Sequence, residues 1–175
     1  GKMYCSISAK DVARDLTYKM FINNVWIKNV YEGYPKSYAK THNIDDASKI
    51  KTIDDYVGIL TDFKTYDANN DGKNNEIPVS SKQYENFILQ SYGYVSNACE
   101  IESDGSKFTY VPLTEAYKKY LITANSMWEA GLIDRNTSAN KTDTAMAANG
   151  KLLGSFVAAA PYLITSQKED PNNLK

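Results

Sequence analysis

The sequence predicts an α/β layered domain with a mixed sheet. Strand-like segments alternate with amphipathic helices along the chain, an order that places helices against a sheet. Asp104-Gly105 between two short strand-like runs signals an inserted hairpin, so the sheet is not purely parallel. At 175 residues the chain fits one domain with a real core.

In order, residues 2–8 alternate loosely and read as a short strand. Residues 17–23, Thr-Tyr-Lys-Met-Phe-Ile-Asn, are rich in aromatic and β-branched residues and read as another. Asn23 or Asn24 caps a short helix through Trp26 and Val30. Residues 31–50, with Gly33 and Pro35 among many polar residues, read as an irregular insertion. Thr52 and Asp55 form a capping-box pattern, with Asp for the usual Glu. The helix behind it carries Ile53, Tyr56, Val57, Leu60 and Phe63 on one face. A polar loop over 67–78 leads into a short apolar stretch at 77–79. Ser80 or Ser81 then starts a helix with Tyr84, Phe87, Ile88 and Tyr92 on its apolar face.

Residues 98–102 and 107–111 form the hairpin. The longest helix, over 114–132, shows a stripe of Tyr117, Tyr120, Leu121, Ala124, Met127 and Trp128, which places Leu121 and Trp128 in the core. A buried strand over 151–160 closes the domain. The expected core sets Ile53, Val57, Leu60, Phe63, Phe87, Ile88, Leu121, Ala124 and Trp128 against a sheet containing residues 20–22 and 153–157.

A formal net charge of -1 argues against capture of nucleic acid, which needs a basic surface to neutralise phosphates. It gives no support for adhesion to an anionic membrane, and no apolar run is long enough to span one. Two cysteines, Cys5 and Cys99, are too few for a disulfide framework; two free buried thiols are the expectation, with pairing open if the protein is exported.

The sharpest chemical feature is the loop Asp67-Ala-Asn-Asn-Asp-Gly-Lys-Asn-Asn-Glu76. Asp67, Asn69, Asp71 and Asn75 stand at loop positions one, three, five and nine. Gly72 at six allows a sharp turn, and the carbonyl of Lys73 at seven can face inward. Alternate residues of a curling loop aim their oxygens at one centre, the opening of an EF-hand-type calcium site. Asp67, Asp71 and Glu76 supply three carboxylates. An EF-hand sets its bidentate Glu at position twelve, where this chain has Pro78; here Glu76 stands at ten. The expected ion is therefore structural Ca2+ in a helix-loop-strand, tying the helix over 52–66 to the strand over 77–79. The bland alternative is a plain polar turn.

No catalytic constellation accompanies the loop. His42 is the single histidine, and no nucleophile elbow, phosphate-cradling glycine loop or zinc cysteine pair is present, so the residues favour a non-enzyme. Ligands of α/β sheets bind beyond the carboxyl ends of strands. That rule nominates Asn24 and Trp26 after the strand over 17–23, Ser81, Gln83 and Tyr84 after 77–79, and Tyr162 after the last strand. Amides and hydroxyls suit sugar hydroxyls, and an aromatic ring can stack on a sugar face.

The loop and its surroundings resemble extracellular solute-binding lipoproteins of the oligosaccharide type, including the alginate-binding kind. The residues that carry the resemblance are Asp62-Phe63-Lys64-Thr65-Tyr66-Asp67 leading through Glu76-Ile77-Pro78, Gly1-Lys2-Met3-Tyr4, the stretch from Pro35 to Asp55, Trp128-Glu129-Ala130-Gly131-Leu132-Ile133-Asp134, and Met146-Ala-Ala-Asn149-Gly150-Lys151 with Gly154. The resemblance implies one three-layer αβα lobe of a type II periplasmic-binding-protein fold, in a longer two-lobed protein that closes on a carbohydrate. It implies an ABC transporter permease as partner, an extracellular or periplasmic location, and a lipid anchor outside this stretch of sequence. The alternatives are a calcium-stabilised adhesion or scaffold module and, more remotely, a calcium-dependent enzyme acting on polysaccharide.

Overall fold

The computed structural model describes residues 19–80, 84–101, 105–135 and 152–158. The strand expected over 2–8 and the tail after 158 lie outside them. The sheet is mixed, as expected. β1 (Lys19–Ile22) runs antiparallel to β5 (Leu153–Ala158), and β2 (Ile77–Val79) pairs with the other edge of β5 in parallel. Val79 also bridges Ile133 in parallel, which carries the sheet one residue further. β5 is central and every one of its residues is buried, so it reads as an apolar run instead of alternating.

α1 (Asn24–Gly33) starts where the sequence places it. The Asn23 side chain accepts from the N–H groups of Val25 and Trp26. α3 (Ile53–Thr65) has a complete capping box. Asp55 N–H donates to Thr52 Oγ1 at 3.0 Å, and Thr52 N–H donates to the Asp55 carboxylate at 2.9 Å. Its inner face carries Tyr56, Ile59, Leu60 and Phe63 into the main core, with Ile53 and Val57 half-buried beside them. Tyr56 reaches β5: its hydroxyl meets Ser155 Oγ at 2.8 Å, and Ser155 Oγ donates onward to the Pro78 carbonyl at 3.1 Å. With the serine proton committed to Pro78, Tyr56 is the donor of the pair. Burial pushes its phenol well above the ordinary value and keeps that proton in place. Phe156, the neighbour of Ser155, faces a smaller second cluster and stacks on Phe21.

Residues 31–50 are not irregular. They hold the end of α1, the single-turn α2 (Tyr38–Thr41) and a 3-10 turn at Ala47–Lys49. Ser37, Ala39 and Ile44 are buried. The buried Asp62 carboxylate on α3 accepts from Tyr38 N–H at 2.9 Å and Ala39 N–H at 2.7 Å, while Ser37 caps the same turn through Lys40 N–H. Desolvation pushes the Asp62 carboxyl up, and those two amides pull it back. A one-turn helix held from a neighbouring element leaves no periodic signature in its own sequence.

α4 (Tyr84–Ser91) buries Ile88 and Leu89, with Phe87 half-buried against Tyr56. β3 (Cys99–Ile101) and β4 (Phe108–Tyr110) form the expected antiparallel hairpin. Thr109 is buried within it, and Glu100 accepts from the N–H groups of Val95 and Ser96. Cys99, Ile101, Phe108 and Tyr110 are left outward. Cys99 is a free, exposed thiol, which corrects the expectation that it is buried; Cys5 lies outside the described residues.

α5 (Glu115–Glu129) is capped by Thr114 and ends in a Schellman motif, with Gly131 at φ 67° and Leu132 N–H donating to the Met127 carbonyl at 3.0 Å. Its inner stripe is narrower than expected, with Tyr117 and Ala124 half-buried against the core. Tyr120 and Met127 are buried, whereas Leu121 is 49% and Trp128 38% exposed. α5 packs chiefly against α4, and a helix seated on one other helix buries a narrower stripe than one lying on a sheet. Leu121 and Trp128 sit one position round from the true seam, and Trp128 lies under the Arg135 guanidinium.

Gly154 lies under the Phe63 side chain of α3. A Cβ there would stand 2.6 Å from Phe63 Cδ2 and 2.9 Å from the Pro78 carbonyl oxygen. Gly154→Ala is expected to destabilise the domain by about 1–3 kcal/mol, the range for overpacking a filled core. Chemical denaturation checks this, and an unchanged midpoint would mean that the close approach is not a constraint.

Candidate functional site

The loop over 67–76 is a tight coil whose acidic and amide side chains fold back on its own backbone. Asp67 accepts from the N–H groups of Asp71 at 3.0 Å and Gly72 at 2.9 Å. Asn69 Oδ1 accepts from Asp71 N–H at 2.9 Å, and Asp71 accepts from Lys73 N–H at 2.9 Å and Asn75 Nδ2 at 3.3 Å. Asn70 at φ 58° and Gly72 at φ 80° supply the left-handed steps that make the chain curl. The loop is anchored at Ala68, which is buried and whose carbonyl accepts from Asn29 Nδ2 at 2.9 Å.

Glu76 closes the coil from inside. It is 3% exposed, and its Oε1 accepts from Asn69 N–H at 3.3 Å. Its Oε2 is buried with no hydrogen-bond partner. An orphaned buried carboxylate oxygen is costly and calls for a donor or a cation. This fits a hard ion bound by oxygen ligands. Among the described residues, however, no three His, Cys, Asp or Glu side chains stand close enough together to hold a metal. Asp67, Asn69, Asp71 and Glu76 each accept a backbone N–H on at least one side-chain oxygen, Glu76 through Oε1 alone, and further lone pairs remain for an ion.

The residues nominated for a ligand are placed unequally. Ser81, Gln83 and Tyr162 lie outside the described residues, and so does the side chain of Tyr84. Trp26 is described, and it is core. It is 3% exposed and meets the Phe63 ring edge-on at 5.3 Å between centroids, so neither face is free to stack on a sugar. Asn24 is also buried. Its Nδ2 donates to Asp46 at 2.9 Å and its Oδ1 accepts from Ala47 N–H at 2.8 Å, leaving its amide engaged by the chain itself. Both lie in the first turn of α1, which packs against α2 and α3, and such first-turn residues turn inward once the helix seats on the core.

Sequence reasoning missed an open cavity of about 730 Å³ beside them. Met20 and Ile22 of β1, Ile53 and Tyr56 of α3, and Phe87 and Ser91 of α4 line it, with the connection over 47–52 at its rim. Met20 pairs with Val157 near the carboxyl end of β5, and Ile53 opens α3. The cavity thus lies between β1, the start of α3 and the end of α4, and its size suits a small molecule. The signal available in the sequence was the bracket of Met20, Ile53 and Phe87 around the strand ends, but only tertiary packing brings these three segments together.

With fold and site in view, the described architecture can be set beside that of known proteins. No protein-family model and no curated protein matches the chain. Solved structures do. The S. pneumoniae ABC-transporter substrate-binding protein FusA in complex with kestose matches over 97% of this chain and 33% of its own, with 20% identity and a TM-score of 0.69. The FusA EF-hand mutant in complex with fructo-nystose matches over 90% of this chain and 30% of its own, with 20% identity and a TM-score of 0.64. An HMO-binding, ABC-transporter-associated solute-binding protein from Bifidobacterium longum infantis matches over 86% and 31%, with 17% identity and a TM-score of 0.62. At these identities the likeness is one of fold, and the chain spans about a third of the length of each structure. No helix of the described residues is long and apolar enough to cross a membrane.

Since Trp26 packs on Phe63, its loss is expected to act on stability. Trp26→Ala should destabilise the domain by about 3–5 kcal/mol, the usual range for removing a buried tryptophan. Thermal or urea melting reads this, and a melt like that of the parent protein would return Trp26 to the surface.

Proposed function

We propose that this chain is one lobe of a two-lobed extracellular carbohydrate-binding protein that hands sugar or oligosaccharide to an ABC importer. The observation that carries the reading is that 97% of the chain takes the fold of a substrate-binding protein solved with kestose. Binding and closure are the function, and no bond is made or broken. The ligand stands at the carboxyl ends of the strands, against the cavity bordered by Met20, Ile53, Tyr56 and Phe87. Ser81, Gln83, Tyr84 and Tyr162 are its proposed polar and aromatic contacts, with Asn24 and Trp26 supporting the wall from behind. The permease docks on the closed protein, and a lipid anchor elsewhere in the longer chain holds it at the cell surface. The three-layer type II arrangement is part of the same proposal. The solved structures that share the fold are transport binding proteins, so they add nothing to the adhesion alternative.

The loop over 67–76 is proposed to hold structural Ca2+ through Asp67, Asn69, Asp71, the Lys73 carbonyl, Asn75 and Glu76. The buried, partnerless Oε2 of Glu76 supports this, as does the presence of an EF-hand in one protein of the same fold. The ion would supply positive charge to an otherwise self-repelling acidic turn and so fix the end of α3 to β2. Binding to the folded form alone stabilises it by mass action, about 2.7 kcal/mol at a hundredfold excess over Kd. Chelator is therefore expected to lower the melting temperature, and calcium to restore it where magnesium does not. Equal melts in chelator and calcium would remove the metal from the proposal.

One lobe provides half of a cleft. Calorimetry should show that the two-lobed protein binds an oligosaccharide such as kestose, whereas residues 1–175 alone bind it weakly or not at all. Tight binding by the short chain would overturn the split cleft, and the absence of sugar binding by the long one would overturn the carbohydrate reading.

A further inference from the structure

We infer that the outward face of the β3–β4 hairpin is covered, in the longer protein, by the second lobe of the same chain. The inference rests on the two-lobed reading above and goes beyond it by naming the surface. In a strand, alternate side chains point to opposite faces. Here the polar alternates are the ones turned toward the domain. Thr109 is buried, and the half-buried Glu100 holds the N–H groups of Val95 and Ser96. The apolar alternates face away. Cys99 stands opposite Tyr110 and Ile101 opposite Phe108, so the four share one face. Ile101, Phe108 and Tyr110 are 69%, 66% and 52% exposed, and Cys99 is an exposed free thiol. The hairpin is inside out with respect to the domain that carries it.

A two-stranded ribbon is marginal by itself and needs a third strand or a packed apolar face. Among the described residues, β3 and β4 have no third strand, and their apolar face is bare. None of its four side chains is charged at neutral pH. Depletion of charge marks a permanent contact more than one that forms and dissolves, which disfavours a transient partner such as the permease. Size disfavours a second copy. A stable contact between separate molecules takes about 20–30 residues a side, far more than this ribbon offers. So small a patch stays covered when its partner is tethered to it, because the effective concentration is then high. A tethered partner is what the fold supplies. FusA with kestose matches 97% of this chain with 33% of its own, so in a protein of that build most of the polypeptide lies outside residues 1–175.

The test uses the two-lobed protein without sugar. Iodoacetamide labelling of Cys99, located by peptide mass mapping, is expected to be at least about tenfold slower in the native protein than in urea, at every protein concentration. Ile101→Ser combined with Phe108→Ser should restore fast labelling and lower the melting temperature by a few degrees, whereas changes at truly exposed positions leave it unmoved. A photo-crosslinker at the same place, Phe108→p-benzoylphenylalanine, should join the hairpin to peptides outside residues 1–175 of its own molecule. Native labelling as fast as in urea would overturn the inference. So would protection that is lost on dilution, the mark of a second copy, or crosslinks confined to residues 1–175. Kestose calorimetry on the same sample keeps the two readings apart. Sugar binding with an open Cys99 removes the lobe contact and leaves the carbohydrate reading; a covered Cys99 without sugar binding does the reverse.

Discussion

The contact between α3 and the central strand β5 is the constraint on which the rest of the domain depends. β5 is buried along its whole length, and α3 approaches it closely enough that Gly154 has no room for a side chain. Phe63 fills the space that Gly154 vacates and receives the edge of Trp26 from α1. Two turns away, Tyr56 ties α3 to Ser155, and Ser155 ties β5 to Pro78 of β2. A buried polar chain of this kind is stable because every proton in it has an acceptor. It also sets the register of helix on sheet, since a shift of either element leaves a hydroxyl unpaired in the core.

From that contact the functional geometry follows in two directions. At the carboxyl end of β5, the start of α3 stands apart from β1 and α4 and leaves the cavity between them. At the other end, α3 runs into the acidic coil, and the coil delivers the chain into β2. β2 is only three residues long, yet Val79 pairs with Ser155 on one side and Ile133 on the other. Glu76 lies just before it, so whatever satisfies the Glu76 carboxylate also fixes where β2 enters the sheet. The coil and the cavity are thus opposite ends of one helix-and-strand unit. This is a physical reason for the loop to matter to the wall of the cavity.

Asp62 extends the same logic to the surface. Its buried carboxylate holds the start of α2 from across the helix interface, so that residues 31–50 join the core through Ala39 and Ile44.

What the sequence by itself determined is whatever local chemistry decides. The caps at Asn23 and Thr52 were legible because their partners lie within three residues. So were the Gly131 helix end, the hairpin around Gly105, the apolar run of β5 and the spacing of oxygens from Asp67 to Glu76. The resemblance carried by these same segments pointed to the fold that the solved structures share. What only the tertiary structure decided is which partner each face meets. Periodicity put Tyr120, Leu121, Met127 and Trp128 on the inner stripe of α5, but the narrow surface of α4 buried Tyr120 and Met127 and left Leu121 and Trp128 outside. Chemistry made Trp26 a plausible sugar platform, and Phe63, 37 positions further along the chain, made it core. Residues 31–50 looked irregular because the group that orders them sits on another helix. The cavity was invisible for the same reason: Met20, Ile53 and Phe87 have no relation along the chain, and only the packing of α3 and α4 against β1 places them around one space.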